Sequence, residues 1–454
     1  MSAKPELSLE ENFQSKLDQV INHELEIHDL KELLLEIREE DQTIFQDLLL
    51  KVPRPILAET VAELPDYVQE EVSDFIAPKE MASIAEEMDS DDAAEFIRNI
   101  SDNDEDKASD ILQEFQSEER KVIEKLISYD DDVAGAHMQS ELFSASIDEH
   151  VWKSIDRLKT LKRTNQIDNI YHVFVTDLKG KFICSIGLEE LIISNKDETY
   201  QSFLDHGDFN TSKTVANHNE EIEKVVEMVS DYNLSVIPIV DDYNNLVGRI
   251  TSDDVYDIIE ELATDDIYHM AGVNAEAEDA EKLMPVIKTR AFWLMINLMT
   301  AIAASYVISY FDSTIQAFVS LAILMPIIAS MGGNAGTQSL TVTVRQLSIG
   351  EISSEDALDT IKKEVLLSLI NGLLFAFVVG VLAYAWFQLP TLGIVIALAI
   401  IINLLFAGLF GSLIPLLLEK LDIDPAIAST VLLTTITDIV GFFAFLGLAK
   451  LIMF

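Results

Sequence analysis

The sequence predicts a multi-domain membrane protein with an α-helical N-terminal domain, an α/β tandem repeat, an acidic connecting helix and a five-helix α-helical transmembrane domain. Three observations carry this prediction. Five apolar stretches of bilayer length follow residue 286, and a strand-rich pattern before them recurs after about 64 residues. The formal net charge is −47, although 49% of the residues are hydrophobic. Charge and hydrophobicity must therefore lie in different parts of the chain.

The acidic excess lies in front of the membrane part, because residues 291–454 contain only 10 of the 78 Asp and Glu residues. A field of this sign attracts cations and repels nucleic acid, so we expect no nucleic-acid partner. The single cysteine, Cys184, excludes an intramolecular disulfide and a Cys-based zinc site, as is typical of a reducing compartment. No signal-peptide pattern follows Met1, so we expect the acidic part to stay in the cytoplasm.

Residues 1–130 have the pattern of an acidic α-helical domain. Leu30, Leu33, Leu34 and Ile37 recur at helical spacing, and prolines separate the short units. The acidic run 102–106 begins like an EF-hand loop, but its sixth and twelfth positions are not the Gly and Glu that such a loop needs. We interpret the run as a turn between two helices.

Residues 131–252 change from helical to alternating periodicity and contain the repeat. The first copy reads as a strand over 172–177, a turn, a strand over 181–187 and a helix. The second copy has the same order, with strands over 236–241 and 246–251. The sequence therefore predicts two similar α/β units in tandem.

Residues 253–286 are predicted to form the connecting helix and a linker to the membrane. Four acids of this helix fall at positions i, i+3, i+7 and i+11, and so share one face: Asp254, Asp257, Glu261 and Asp265. Like charges at this spacing destabilise a helix by a few tenths of a kcal/mol each, roughly, unless something neutralises them. A divalent cation would do so; the alternative is an ordinary solvated face.

The membrane part, residues 287–454, divides into five predicted spans. They run over about 291–311, 316–344, 365–387, 391–418 and 425–453. Basic residues concentrate on one side: Lys288, Arg290, Arg345, Lys362, Lys363 and Lys420, against Lys450 alone on the other. By the positive-inside rule, the N-terminus lies in the cytoplasm and the C-terminus outside. We expect a multi-pass protein of the plasma or inner membrane.

Asp438 is the principal candidate in the membrane, because it lies near the middle of the fifth span. A lone carboxylate at this depth costs at least about 2.5 kcal/mol, so it normally faces a protein interior or a wet path. Thr434 lies on the same stripe one turn earlier. The second span contains a Gly-Gly-Asn-Ala-Gly-Thr-Gln element, for which we predict a broken helix that lines a cation path with Gly332, Gly333, Asn334 and Gly336.

The Gly-Gly-Asn element, the span with Asp438, the tandem repeat, the acidic helix and the helical N-domain together resemble the MgtE family of magnesium channels and transporters. The resemblance implies a homodimer whose pore lies on the two-fold axis, with Asp438 from each subunit recognising Mg²⁺. It also implies that the connecting helix closes the pore when Mg²⁺ binds to acids of that helix and of the N-domain. Matching positions are Asp254, Asp257, Asp265 and Asp266 on the helix, and Glu59, Asp91 and Glu95 in the N-domain.

The α/β repeat resembles a tandem CBS pair. In that family the residues that match Thr251 and Asp254 can hold the ribose of an adenine nucleotide, which would make ATP a second ligand beside Mg²⁺. The first copy departs from this pattern, with Gly187 and Glu190 at the equivalent places. A purely structural, dimerising pair is the alternative.

The sequence is also compatible with other functions. A secondary transporter of another divalent cation, such as Co²⁺ or Mn²⁺, would use the same carboxylates, and so would a CBS-gated cation transporter modulated by an adenine nucleotide. An enzyme is disfavoured, because the sequence contains no P-loop and no nucleophile elbow. The histidines His23 and His28 are five residues apart, whereas a zincin helix needs four.

Overall fold

A computed structural model describes residues 9–164, 167, 170–193, 197–206, 210–273, 283–348, 352, 357–421, 423–426 and 429–453. The chain forms two compact units, Met1–Ile259 and Glu260–Phe454. The architecture confirms the predicted fold class: a helical N-terminal domain, an α/β pair and five long apolar helices.

Short helices make up the N-terminal domain. Their apolar faces form its core, since Leu30, Leu33, Leu34 and Ile37 are all buried. Prolines begin several of the helices because the first turn needs no N–H from them. The nine helices described here are α1 (Leu9–Ile21), α2 (Ile27–Glu40), α3 (Gln42–Leu49), α4 (Arg54–Ala62), α5 (Asp66–Phe75), α6 (Pro78–Ala85), α7 (Ser90–Asn103), α8 (Glu105–Glu114) and α9 (Ser117–Ile127).

The acidic run at 102–106 is the junction between α7 and α8, as predicted. Asp104 is the N-cap of α8, and its Oδ1 accepts a hydrogen bond of 3.0 Å from the backbone N–H of Lys107. A carboxylate at this position satisfies one of the free N–H groups of the first turn. The acid is therefore used to begin a helix.

The α/β region contains two copies of one unit, 64 residues apart. Strands β2 (His172–Thr176) and β3 (Phe182–Gly187) correspond to β6 (Val236–Val240) and β7 (Leu246–Thr251). The other elements are β1 (Ser144–Ser146), α10 (Val151–Arg163), α11 (Leu188–Ile193), α12 (Tyr200–His206), β4 (Thr211–Ser212), β5 (Ala216–Asn217) and α13 (Ile222–Tyr232). The sheets have the orders β1-β2-β3-β4 and β5-β6-β7, each with a parallel pair before its antiparallel hairpin.

Equivalent aspartates close the two hairpins. Asp177 Oδ1 accepts hydrogen bonds from the N–H groups of Lys179 and Lys181, and Asp241 Oδ1 does so from Tyr243 and Asn245. Side-chain acceptance of this kind stabilises the turn. The N–H of Lys181 in particular holds the pKa of Asp177 below its ordinary value. The two hairpin turns also pair with each other, through a bridge between Lys181 and Asn245.

The predicted acidic helix is present as α14 (Ser252–Ala271). Gly272 follows it with a positive φ of 71°, the left-handed conformation that glycine adopts at the C-terminus of a helix. A Cβ at this glycine would lie 3.3 Å from the ring of Trp293. Most of the predicted linker, residues 274–282, lies outside the described residues.

Five helices among the described residues are long and apolar enough to span a membrane. The fourth, Pro390–Glu419, is the most enclosed, with Leu392, Val395 and Ile396 fully buried. A short helix, α16 (Asp312–Ala317), follows the first span. The five are α15 (Leu283–Tyr310), α17 (Ser320–Ser348), α18 (Ala357–Phe387), α19 (Pro390–Glu419) and α20 (Ser429–Met453).

The predicted break in the second span is wrong: α17 is continuous from Ser320 to Ser348. Pro326 lies inside the helix, where it removes one backbone hydrogen bond. Gly332 and Gly336 are retained in helical conformation because neighbouring helices pack directly against them, which outweighs their low helix propensity. The second span therefore supplies no unwound backbone carbonyls to a cation.

Candidate cation path and acidic cluster

The N-terminus of α7 is joined to the segment that precedes the α/β pair. Ser90 Oγ donates a hydrogen bond of 2.9 Å to Glu141 Oε2, and it accepts one of 2.7 Å from the backbone N–H of Ser140. A carboxylate at this end of a helix is favoured by the helix dipole. The contact places the acids of the first turns of α7 beside the start of the α/β pair.

Asp254, at the start of α14, lies in a network of hydrogen bonds. Its Oδ2 accepts from the backbone N–H of Thr251 at 2.9 Å and from Thr251 Oγ1 at 2.6 Å. Gln139 Nε2 lies 3.3 Å from the same oxygen, and Gln139 also accepts from the buried Arg249. Burial raises the pKa of Asp254, and the hydrogen bonds from Thr251 and the charge of Arg249 oppose that rise. Asp254 is thus fixed in position.

Carboxylates from three parts of the chain come together here. Burial, together with repulsion from Asp92 and Asp254, holds the pKa of Asp91 well above its ordinary value. Asp92 still reaches solvent, yet the protein atoms around it and repulsion from nearby acids, Asp89 first, raise its pKa to about 7. We call the set the acidic cluster: Asp89, Asp91, Asp92, Glu95, Glu141, Asp254 and Asp257.

The acidic cluster fits a hydrated cation better than a bare one. Asp91 Oδ1 is buried and has no hydrogen-bond partner among the described residues. Within the same residues, no group of three or more His, Cys, Asp or Glu side chains is arranged as a ready metal-binding cage. Mg²⁺ dehydrates reluctantly and usually keeps several waters, so carboxylates that approach it through water suit its chemistry.

The predicted regulatory residues divide into three groups. Four of them, Asp91, Glu95, Asp254 and Asp257, belong to the acidic cluster. Glu59 lies on the exposed side of α4 and stays a prediction. Asp265 and Asp266 lie near the C-terminal end of α14 and therefore outside the acidic cluster.

At that end of α14, polar side chains contact the ends of the membrane helices. Asp266 Oδ2 accepts a hydrogen bond of 2.7 Å from Ser348, the last residue of α17. Burial raises the pKa of Asp266, and that hydrogen bond opposes the rise. His269 Nδ1 lies 2.7 Å from Asp424 Oδ2, in the segment between α19 and α20. Within the second unit, the helix is therefore fastened at two points.

The raised pKa of Asp92 predicts how the metal-free protein responds to pH. A carboxylate with a raised pKa binds its proton more strongly in the folded state, so it costs stability progressively as pH rises from about 4 to about 7. We expect Asp92→Asn to stabilise the chain relative to wild type at pH 7.5, with a clearly smaller gain at pH 4.5. Thermal unfolding in detergent with EDTA measures this difference. An equal gain at both pH values would contradict the raised pKa.

In the membrane, Asp438 lies at the level of the Gly-Gly-Asn element. Gly336 packs against Leu433, and Gly441 packs against Ile328, so α17 and α20 run in opposite directions. Residues near 332 are consequently beside residues near 437. Asp438 itself is half-buried.

An open polar face accompanies Asp438. Asn334 and Thr434 are exposed, and a Cβ at Gly333 would meet nothing within 4 Å. Gly332 and Gly336, by contrast, are buried between helices. We therefore keep Gly333, Asn334 and Thr434 in the proposed path lining, and we assign Gly332 and Gly336 to helix packing.

Three candidate functional residues were not predicted from the sequence. Asn403 is a lone amide in the apolar helix α19, and that isolation was a usable signal. Asp92 directly follows the predicted residue Asp91 on α7, so its position next to a candidate was also a usable signal. Glu141 joins the acidic cluster only through the tertiary fold, and nothing in its local sequence indicates this.

Comparison with known proteins gives matches along most of the chain. A family model described as a divalent cation transporter matches residues 325–448, the MgtE intracellular N domain matches 25–132, and a CBS domain matches 207–261. Magnesium transporter MgtE of Enterococcus faecalis is 30% identical over 338 residues, which cover 74% of this chain and 73% of the relative. Magnesium transporter MgtE of Thermus thermophilus is 28% identical over 458 residues, which cover 100% and 99%.

A solved structure also matches part of the chain. It is the crystal structure of the cytosolic domain of the Mg²⁺ channel MgtE in complex with ATP. It is 26% identical, with a TM-score of 0.48, and the match covers 55% of this chain and 98% of that one. The CBS family match falls on the second α/β copy, which is the copy that keeps the family pattern.

Proposed function

The chain belongs to the MgtE family of divalent cation transporters, and we propose that it carries Mg²⁺ into the cell along a path beside Asp438 that closes when internal Mg²⁺ binds the acidic cluster. It is a multi-pass membrane protein of a transporter family, and an enzymatic role is not part of the proposal. The named relatives are magnesium transporters, and we extend that cargo to this chain.

One observation carries the proposal: a carboxylate at mid-membrane adjoins an open polar face. A charged side chain at this depth is unfavourable unless it meets protein or water. We propose that a second copy of the chain covers the face of Gly333, Asn334 and Thr434, which makes the transporter a homodimer. Two copies of Asp438 would then approach the same path.

Such a path suits Mg²⁺ because the ion releases its waters reluctantly. A site with two symmetry-related carboxylates and several polar groups binds the hydrated ion through water. Binding of this kind is weak enough to allow release on the other side, which conduction requires. The amide of Asn334 and the hydroxyl of Thr434 supply neutral hydrogen-bonding groups next to the charge.

Closure follows from the repulsion within the acidic cluster. Without metal, the acids of α7 and those of α14 repel one another, as the raised pKa values of Asp91 and Asp92 indicate. Bound Mg²⁺ would neutralise this repulsion and favour the arrangement that brings the two helices together. A ligand shifts an equilibrium only by its difference in affinity between the two states. The cluster would provide that difference, because its acids converge in one state alone.

The proposed orientation agrees with the contacts of α14. The helix end reaches Ser348 and Asp424, both of which lie on the side that basic residues assign to the cytoplasm. Asp265 and Asp266 would then lie beneath the cytoplasmic mouth of the path. We propose that this docked helix end belongs to the closed state.

The contact between His269 and Asp424 gives a prediction for closure. We expect His269→Leu to raise the internal Mg²⁺ needed for half-closure about fivefold, since a half-buried charged or polar pair is worth ~1 kcal/mol. His269→Asn keeps a donor near the position of Nδ1 and is expected to have a smaller effect. Dose–response curves of Mg²⁺ flux measure both shifts. If His269→Leu closed at the same internal Mg²⁺ concentration as wild type, the contact of the C-terminal end of α14 with Asp424 would have no part in closure.

Adenine nucleotide is a further proposed ligand, at Thr251 and Asp254. Both side chains are already hydrogen-bonded to each other, so a ribose would have to share or replace those bonds. In the first copy, the carboxylate of Glu189 lies directly over Gly187, which would oppose a phosphate there. We therefore confine the nucleotide proposal to the second copy.

Entry of Mg²⁺ into liposomes that contain the protein and a Mg²⁺-sensitive dye tests the function. Entry above that of empty liposomes is expected, and its absence would refute the proposal. A coupled transporter is the second candidate, because α18 contains another buried carboxylate, Glu364. Measuring entry with and without an imposed pH gradient separates the two, since a channel needs no proton partner.

A further inference from the structure

Asn403 lies where three membrane helices meet. It is fully buried in the middle of α19, and its Nδ2 donates a hydrogen bond of 2.8 Å to the backbone oxygen of Ile328 on α17. This hydrogen bond also fixes which side of the amide carries the nitrogen. The amide therefore faces α17 with its donor.

Two glycines make room for this amide. A Cβ at Gly332 on α17 would lie 2.3 Å from Asn403 Nδ2, and a Cβ at Gly441 on α20 would lie 2.9 Å from the same atom. At either distance a Cβ would force the amide or one of the helices to move. Asn403 thus sets how closely α17 and α20 approach α19.

Stability alone does not explain an amide at this position. Asn403 Oδ1 is buried and has no hydrogen-bond donor among the described residues. A buried acceptor without a partner lowers stability, whereas an apolar residue of the same shape would avoid that cost. A leucine has the same branched shape without the polar atoms, so the polar group points to a role in function.

The position relates Asn403 to the proposed path. Gly332 directly precedes Gly333 and Asn334, and Gly441 follows Asp438 by three residues, almost one helical turn. We propose that Asn403 is a positioning residue for transport: its amide holds the Gly-Gly-Asn element and Asp438 in the relative placement that selects Mg²⁺. This inference rests on the proposed function.

The test compares folding with selectivity in Asn403→Leu, which keeps the shape and removes the polar group. We expect a melting temperature equal to or above that of wild type. We also expect the ratio of Mg²⁺ to Co²⁺ entry into liposomes to fall at least threefold. A lower melting temperature with an unchanged ratio would make Asn403 merely structural and overturn the inference. Wild-type ratio and wild-type stability together would overturn it as well.

A second pair of variants tests the contact itself. Gly332→Ala is expected to impair Mg²⁺ entry because its Cβ meets the amide, and Asn403→Ala in the same chain is expected to restore part of the entry. Gly447→Ala is the control, since its Cβ would meet only Phe311, at 3.9 Å. No restoration in the double variant would contradict the contact. Failure of the proposed function is distinguishable, because wild type itself would then show no Mg²⁺ entry.

Discussion

Asp438→Asn is expected to reduce Mg²⁺ entry about 30- to 100-fold. Two unit charges ~4 Å apart attract by about 4 kcal/mol at an effective dielectric constant of 20. A hydrated ion stays farther away, so we take roughly half to two-thirds of this, ~2–2.7 kcal/mol, which corresponds to the stated factor. Asparagine has nearly the same size as aspartate, so the substitution removes the charge and keeps the packing. Dye-loaded liposomes measure the rate.

The matched control is Asp312→Asn, which removes an acid from the same compact unit. Asp312 lies in the short helix after the first span and accepts a hydrogen bond from Gln316. We expect entry near the wild-type rate in this variant. Equal entry in wild type, Asp438→Asn and Asp312→Asn would exclude Asp438 from the path. Thermal unfolding of both variants establishes that they fold.

The sequence predicted the elements of this protein better than their contacts. Apolar length alone predicts the five spans, because a membrane helix must satisfy its own backbone and reach across the bilayer. The break predicted at Gly332 is wrong because glycine has two roles in a membrane helix. It weakens the helix locally, but it also permits close packing, and the amide of Asn403 occupies the space at that glycine.

Charge spacing predicted part of the acidic cluster. The regular spacing of Asp254 and Asp257 puts them on one helix face, and that much follows from helical geometry. Which acids meet them depends on how α7 packs against the α/β pair. Ser90 and Glu141 make that contact across about fifty residues of sequence, a distance at which periodicity carries no information.

Neutralising Asp92 and Asp257 together is expected to abolish most of the response to internal Mg²⁺. In wild type we expect flux to fall steeply as internal Mg²⁺ rises into the millimolar range. In the double variant Asp92→Asn, Asp257→Asn, the ratio of flux at low and at high internal Mg²⁺ should approach one. Asp92 lies on α7 and Asp257 lies on α14, and both belong to the acidic cluster. Neutralising them therefore removes repulsion between the two helices and metal binding together.

The size of this effect follows from the linkage between binding and closure. To shift a two-state equilibrium from 1:99 to 99:1, ligands must favour one state by about 5.5 kcal/mol in total. Several weak sites can reach that total, but each contributes only its own difference between the states. Losing two of the carboxylates therefore removes a large share of this free-energy difference. The control is Asp110→Asn, which neutralises an exposed acid of α8 and should leave the dose–response curve unchanged. If the double variant kept a wild-type curve, internal Mg²⁺ would have to act elsewhere, and Glu59, Asp265 and Asp266 would become the remaining candidates.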